Sequence, residues 1–171
     1  MAFDLDRVRK EFPILAREID GKPLIYLDSG NTSQKPRHVI DAMSEFLENS
    51  YAPINRSSYR LAGEATEAYE AGRRAVARLI NAASVDEVVF TKNATESLNL
   101  VAQAWGRQNL TEGDVVVLTD MEHHANIVPW HMLAAERGIE LRWVPLTADG
   151  QLDLTELDQI LRGAKAFAFT A

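Results

Sequence analysis

Apolar residues recur along this chain with two periods. Val115-Val116-Val117-Leu118 and Ala166-Phe167-Ala168-Phe169 are short unbroken apolar runs, the pattern of strands buried on both faces. Residues 88–91 and 141–145 read as strands of the same kind. Between these runs the spacing is helical, over residues 95–105 and 126–137, with a shorter helix capped by Thr155 and running to 161. From residue 87 onward the order is therefore strand, helix, strand, helix, strand, helix, strand. That alternation predicts a parallel sheet covered by helices.

The first third of the chain is less regular. Asp4 is placed to cap a helix over 4–12, with Leu5, Val8 and Phe12 on one face, and Pro13 ends it. Residues 23–27 read as a short strand. Asp28-Ser29-Gly30-Asn31-Thr32-Ser33 is a run of turn formers and hence a loop. Pro36 suits the first position of a helix with the stripe Val39, Met43, Phe46 and Leu47. Pro53, Asn55, Ser57 and Ser58 keep 50–61 irregular, and a long helix spans 62–80. The irregular stretch divides an N-terminal arm with loops, 1–61, from a sheet domain, 62–171. A fourth strand with no helix after it leaves a sheet face partly uncovered. The 171 residues are therefore expected to be the N-terminal part of a longer chain.

Composition narrows the function classes. Apolar residues make up 46% and charged residues 25%, a soluble globular balance. A net charge of −7 disfavours nucleic acid and anionic membranes as partners. The absence of cysteine removes disulfides and thiolate chemistry from these residues. The first eleven residues carry mixed charges and no apolar core of signal-peptide type. No apolar run approaches a membrane span, so the expected compartment is the cytoplasm.

Chemistry is expected where parallel strands hand over to helices, since ligands of open α/β sheets bind outside the carboxyl ends of the strands. Two stretches occupy such positions. In Asn93-Ala94-Thr95-Glu96, Asn93 can cap a helix and Glu96 completes a capping-box pattern. Free backbone N–H groups, the positive dipole end and the Thr95 hydroxyl would make this turn a phosphate cradle. Taken alone, it is better described as an ordinary capped helix. In the second stretch, His123 and His124 are adjacent and so point apart. A metal would need Glu122 or Asp120 as well, and the spacing fits no zinc pattern. An imidazole here suits stacking on a planar heteroaromatic cofactor, or proton transfer near neutral pH. Two partly exposed loop histidines would read the same way. Arg56 can hold a carboxylate or be a solvated surface residue.

Phe90-Thr91-Lys92-Asn93-Ala94-Thr95-Glu96-Ser97-Leu98-Asn99-Leu100-Val101 and Glu122-His123-His124-Ala125-Asn126-Ile127-Val128-Pro129-Trp130 resemble the cysteine desulfurases of the class V aminotransferase family, the SUF-type group above all. Tyr26-Leu27-Asp28-Ser29, Gln34-Lys35-Pro36 and the opening Val8-Arg9-Lys10-Glu11-Phe12-Pro13-Ile14-Leu15 match as well. The resemblance implies the large α/β domain of fold-type-I pyridoxal 5′-phosphate (PLP) enzymes, incomplete here and preceded by an N-terminal arm. It implies removal of sulfur from L-cysteine to give alanine and an enzyme persulfide, a sulfur-acceptor protein of iron–sulfur assembly, and a homodimer. By position, the Ala94 backbone and Thr95 hydroxyl would hold the cofactor phosphate. His123 would stack on the pyridine ring and serve in proton transfer. Gly30, Asn55 and Arg56 fall in the substrate-side loops. The family usually has His-Arg-Gly where this chain has Asn55-Arg56-Ser57, and small residues, usually alanines, where it has Gly30-Asn31. Its cofactor-linking lysine, the Asp on the pyridine nitrogen and the persulfide cysteine come later than residue 171. A selenocysteine lyase, another class V enzyme and a non-catalytic fragment are the alternative readings. The family's strand order, 3-2-4-5-6-7-1, leaves the first strand without its neighbour within these residues and the edge at 166–169 open.

Overall fold

The computed structural model describes residues 4–55 and 57–170. They form two compact units, Met1–Val88 and Val89–Ala171.

In the first unit, α1 (Leu5–Lys10) begins where the Asp4 carboxylate accepts the Arg7 amide at 3.0 Å. A 3-10 turn, Pro13–Ala16, follows. The strand expected over 23–27 is replaced by a small antiparallel hairpin of β1 (Glu18–Ile19) and β2 (Lys22–Pro23). Asp20 and Gly21 join them with φ of 53° and 71°. An Asp-Gly pair with both residues left-handed makes the two-residue turn that matches strand twist, so the pairing sits beside that turn and residues 24–27 form no ladder. Helix α2 (Arg37–Asn49) starts one residue after Pro36, which is its N-cap. Helix α3 (Arg60–Leu79) starts two residues earlier than its apolar spacing predicts. Small residues on α3, Ala62, Ala65 and Ala77, are buried. Arg73 fastens this helix to the end of the unit. Its guanidinium lies 5.1 Å from the centre of the Tyr69 ring and donates to the Val88 carbonyl.

The second unit is a three-stranded parallel sheet in the order β4–β3–β5, with β3 (Val115–Thr119) between β4 (Glu140–Val144) and β5 (Ala164–Ala168). Val116 faces Leu141 on one side and Ala166 on the other. All five residues of β3 are buried, and their alternation feeds two cores. Val116 and Leu118 pack with Ala102, Leu110, Trp130, Leu133 and Ile139. Val115, Val117 and Val144 pack with Leu152, Leu157, Ile160 and Phe167. This is the 3-2-4 portion of the order the family resemblance implies.

The strand expected over 88–91 does not form: no ladder includes these residues, and Val89 is 65% exposed. Apolar character makes a strand only where another strand is beside it. The helix expected over 95–105 is a composite. Helix α4 (Ala94–Leu100) passes into a π-turn, Val101–Gly106, and then α5 (Arg107–Asn109). Gly106 is buried in this run, where a Cβ would lie 2.7 Å from Leu133 Cδ2. Helix α6 (Val128–Arg137) ends at Gly138, left-handed with φ 71°, the favoured C-terminal signal. Helix α7 (Leu157–Ile160) has Glu156, not Thr155, at its N-cap. The Thr155 amide instead donates to Asp153 Oδ1 at 3.0 Å, closing a local turn.

Candidate functional site

Helix α4 and the turn after β3 pack against each other within the second unit, bringing the two suspected loops together. At the first loop, Asn93 Oδ1 accepts the Glu96 amide at 2.9 Å. Glu96 Oε2 turns back to accept the Lys92 amide at 2.7 Å. The pattern is a capping box shifted by one residue. It engages Glu96 Oε2 with the Lys92 amide rather than with Ala94 or Thr95. Ala94 and Thr95 form the exposed first turn, where helix N–H groups have no intrahelical acceptor. Thr91 Oγ1 and Ser97 Oγ, 2.6 Å apart, brace the approach.

At the second loop, alternation along Glu122-His123 sends one side chain inward and the next outward. Glu122 is only 8% exposed. Its Oε1 accepts Thr119 Oγ1 at 2.6 Å and the Thr170 amide at 2.9 Å. Its Oε2 accepts Asn126 Nδ2 at 2.8 Å and Thr170 Oγ1 at 2.9 Å. Burial alone would push this carboxyl up, but the hydrogen bonds from Thr119, Asn126 and Thr170 outweigh it and hold the group below the ordinary glutamate value. Trp130 Nε1 donates to Asn126 Oδ1 at 3.4 Å, extending the network into α6.

His123 is exposed at the mouth of a 3-10 turn, His124–Asn126. The Ala125 amide donates to its Nδ1 at 3.0 Å, and the Asn126 amide to its carbonyl at 2.8 Å. The His124 ring lies edge-on, 87° to that of His123, with centres 6.4 Å apart. Both rings are exposed, and their planes are nearly perpendicular.

Ala94, Thr95 and His123 therefore belong to one end of one sheet. Gly30 and Asn55 belong to the first unit, and Arg56 lies outside the described residues. Asn55 has φ 63°, a left-handed backbone in which Asn and His are both enriched among non-glycine residues. Its amide donates to Thr66 Oγ1 at 2.9 Å. Asn in place of the family's usual His thus keeps a residue suited to this backbone. The sequence reading missed the role of Glu122, considering it only as a metal ligand. The signal was present in Thr119 and Asn126, three residues before and four after.

This arrangement is an open parallel α/β sheet with an anion-suited helix start and an imidazole at the carboxyl end of its central strand. The Aminotransferase class-V family matches residues 25–171, and the chain belongs to that family. It is 52% identical over 161 residues to a cysteine desulfurase of Serratia proteamaculans (strain 568), covering 94% of this chain and 40% of that protein. A cysteine desulfurase of Pectobacterium carotovorum subsp. carotovorum (strain PC1) is 50% identical over the same extent. Among solved structures, the apo cysteine desulfurase of Thermococcus onnurineus NA1 superposes with a TM-score of 0.87 at 37% identity, over 99% of this chain and 40% of that one. The Escherichia coli cysteine desulfurase CsdA gives 0.77 at 35% identity, over 98% of this chain and 41% of that one. The chain spans about 40% of the length of the curated relatives it matches. Among the described residues, no helix is long and apolar enough to cross a membrane.

Proposed function

We propose that this chain supplies the phosphate- and ring-binding half of the cofactor site in a PLP-dependent cysteine desulfurase. One observation carries the reading: the first turn of α4 and the His123 loop meet at one end of the sheet, in a chain about half identical to cysteine desulfurases. The residues present fit the cofactor. A phosphate needs unpaired N–H donors, and Glu96 Oε2 accepts the Lys92 amide rather than the amide of Ala94 or Thr95. A planar ring needs a flat partner held at a fixed angle, and His123 is held through Nδ1.

In this reading the Ala94 amide and Thr95 hydroxyl bind the phosphate. His123 stacks on the pyridine ring and serves in proton transfer. When bound, PLP supplies the electron sink that lets the substrate's carbon–sulfur bond break. Sulfur passes from L-cysteine to an enzyme thiol, giving L-alanine and a persulfide. That thiol is not among these residues, which contain no cysteine. Arg56 meets the substrate carboxylate, and Gly30 and Asn55 line the substrate side. The division at 61/62 is then one of role, with substrate loops before it and cofactor loops after it. A sulfur-acceptor protein of iron–sulfur assembly, a homodimer and a cytoplasmic location complete the proposal.

The test uses the full-length protein carrying this chain, loaded with PLP and given L-cysteine or L-selenocysteine. Alanine should form from L-cysteine. His123→Ala should shift the PLP absorbance band and slow turnover, and His124→Ala should do much less. Equal effects would reject the His123 assignment. Alanine formed only from L-selenocysteine would replace the reading with a selenocysteine lyase, and none from either substrate would reject it.

A further inference from the structure

Glu122 has no direct place in the chemistry proposed above, yet it makes the densest set of hydrogen bonds near the site. Its four donors come from three places: Thr119 at the end of β3, Thr170 just past the end of β5, and Asn126 in the turn that leads into α6. The carboxylate thus pins the His123 loop at two points, through Glu122 itself on one side and Asn126 on the other. Between those points lie His123, His124 and Ala125. With both flanks fixed, the Ala125 amide is directed at Nδ1 and the Asn126 amide at the His123 carbonyl.

An amide can only donate, so Nδ1 must present its lone pair. A neutral imidazole with Nδ1 as acceptor carries its proton on Nε2. While the Ala125 contact holds, neither ring nitrogen has a free lone pair. Proton uptake at Nδ1 requires that contact to open.

We propose that Glu122 is a positioning residue that locks His123 in the Nε2–H tautomer, so that the ring meets the cofactor and substrate as a hydrogen-bond donor through Nε2. Glu122 acts through the turn and touches no reacting atom. The functional part rests on the PLP reading, whereas the tautomer is a property of the chain itself.

Long-range proton–nitrogen NMR on the full-length protein, labelled with ¹⁵N-histidine and recorded above the histidine titration range, tests both parts. In the wild type, His123 Nδ1 should appear unprotonated and Nε2 protonated, with or without PLP. Glu122→Gln puts an NH₂ group where one oxygen had accepted two of the four donors, and His123 should become a mixture of tautomers. Combining it with Asn126→Asp reverses the donor and acceptor at that contact and should restore Nε2–H. His38, His124 and His131 report whether the fold is intact. Thr119→Val removes one donor alone and should give a smaller shift of the same kind, which carries the test if Glu122→Gln does not fold. With PLP bound, Glu122→Gln should lower kcat about tenfold, as outer-shell partners of functional histidines typically do, with KM little changed. A proton on Nδ1 in the wild type, or an unchanged tautomer in both Glu122→Gln and Thr119→Val, overturns the proposal. An Nε2–H tautomer under Glu122 control in a protein that does not bind PLP upholds it and overturns the PLP reading instead.

Discussion

Two apolar stretches, Val88-Val89-Phe90 and Val115-Val116-Val117-Leu118, precede the two site loops. They look alike in sequence and end differently. The second is the central strand of a sheet, buried throughout, and the loop after it is tied down by a buried carboxylate. The first forms no strand, and Val89 is largely exposed. The loop after it is held by a helix cap and the Thr91–Ser97 contact. One loop is thus fixed by the sheet and the other by its own helix, and they should respond to damage differently.

The largest contrast lies in the strands themselves. Leu118→Ala should cost about 2–5 kcal/mol by leaving a core cavity. Val89→Ala should stay within about 0.5 kcal/mol, as at ordinary surface positions. Denaturant unfolding of the two variants measures the difference, and equal costs would mean that residues 88–91 are as well packed as β3. Amide exchange sharpens the same comparison: β3 amides should be strongly protected and those of 89–91 should exchange quickly.

Next comes the anchor of the second loop. Glu122→Gln should cost about 2 kcal/mol, as when a buried charged hydrogen bond is broken. The carboxyl lies below its ordinary value when folded. Its stabilisation is therefore complete above the unfolded glutamate value, ~4.3, and is lost as pH falls through the lower folded value. Acid titration of stability should be shallower in Glu122→Gln than in the wild type. Parallel curves would show that Glu122 does not carry this pH dependence.

Asn93→Ala tests the other loop. Loss of an N-cap should cost about 1 kcal/mol and weaken PLP binding without altering the His123 tautomer. A changed tautomer would show that the two loops are coupled more tightly than their separate anchors imply. The smallest effect is expected at Asn55. Asn55→Gly should change stability by a few tenths of a kcal/mol, whereas Asn55→Val should cost about 1–2 kcal/mol because a left-handed backbone excludes its branched side chain. A thermal melt in which the two variants coincide would argue against that backbone.

Local signals were the legible part of this fold. The Asp4 and Asn93 caps, the Gly138 stop and the apolar run of β3 depend on near neighbours in the sequence, and each formed as the residues predict. The hairpin over Glu18–Pro23 is legible too, in the Asp20-Gly21 pair, although the apolar character of Pro23 to Leu27 points to a strand there instead. Residues 88–91 illustrate the opposite case, since their apolar character does not reveal whether a neighbouring strand is at hand. The Glu122 network could be read only in part. Thr119 and Asn126 lie close by in sequence, but Thr170 is 48 residues away and meets Glu122 only through the sheet order. The proposed roles of Ala94, Thr95 and His123 rest on the family likeness more than on their own chemistry.

Gly106 bears on how freely this sequence can drift. Its missing side chain leaves the room that Leu133 and Trp130 fill on α6, and Trp130 reaches Asn126, the second fixed point of the His123 turn. A single methyl group at 106 would press on a chain of contacts ending at the proposed catalytic ring, though nothing at 106 touches a ligand. In a library of all single substitutions, position 106 should therefore be as intolerant as a site residue. The exposed neighbours Trp105 and Arg107 should accept many replacements.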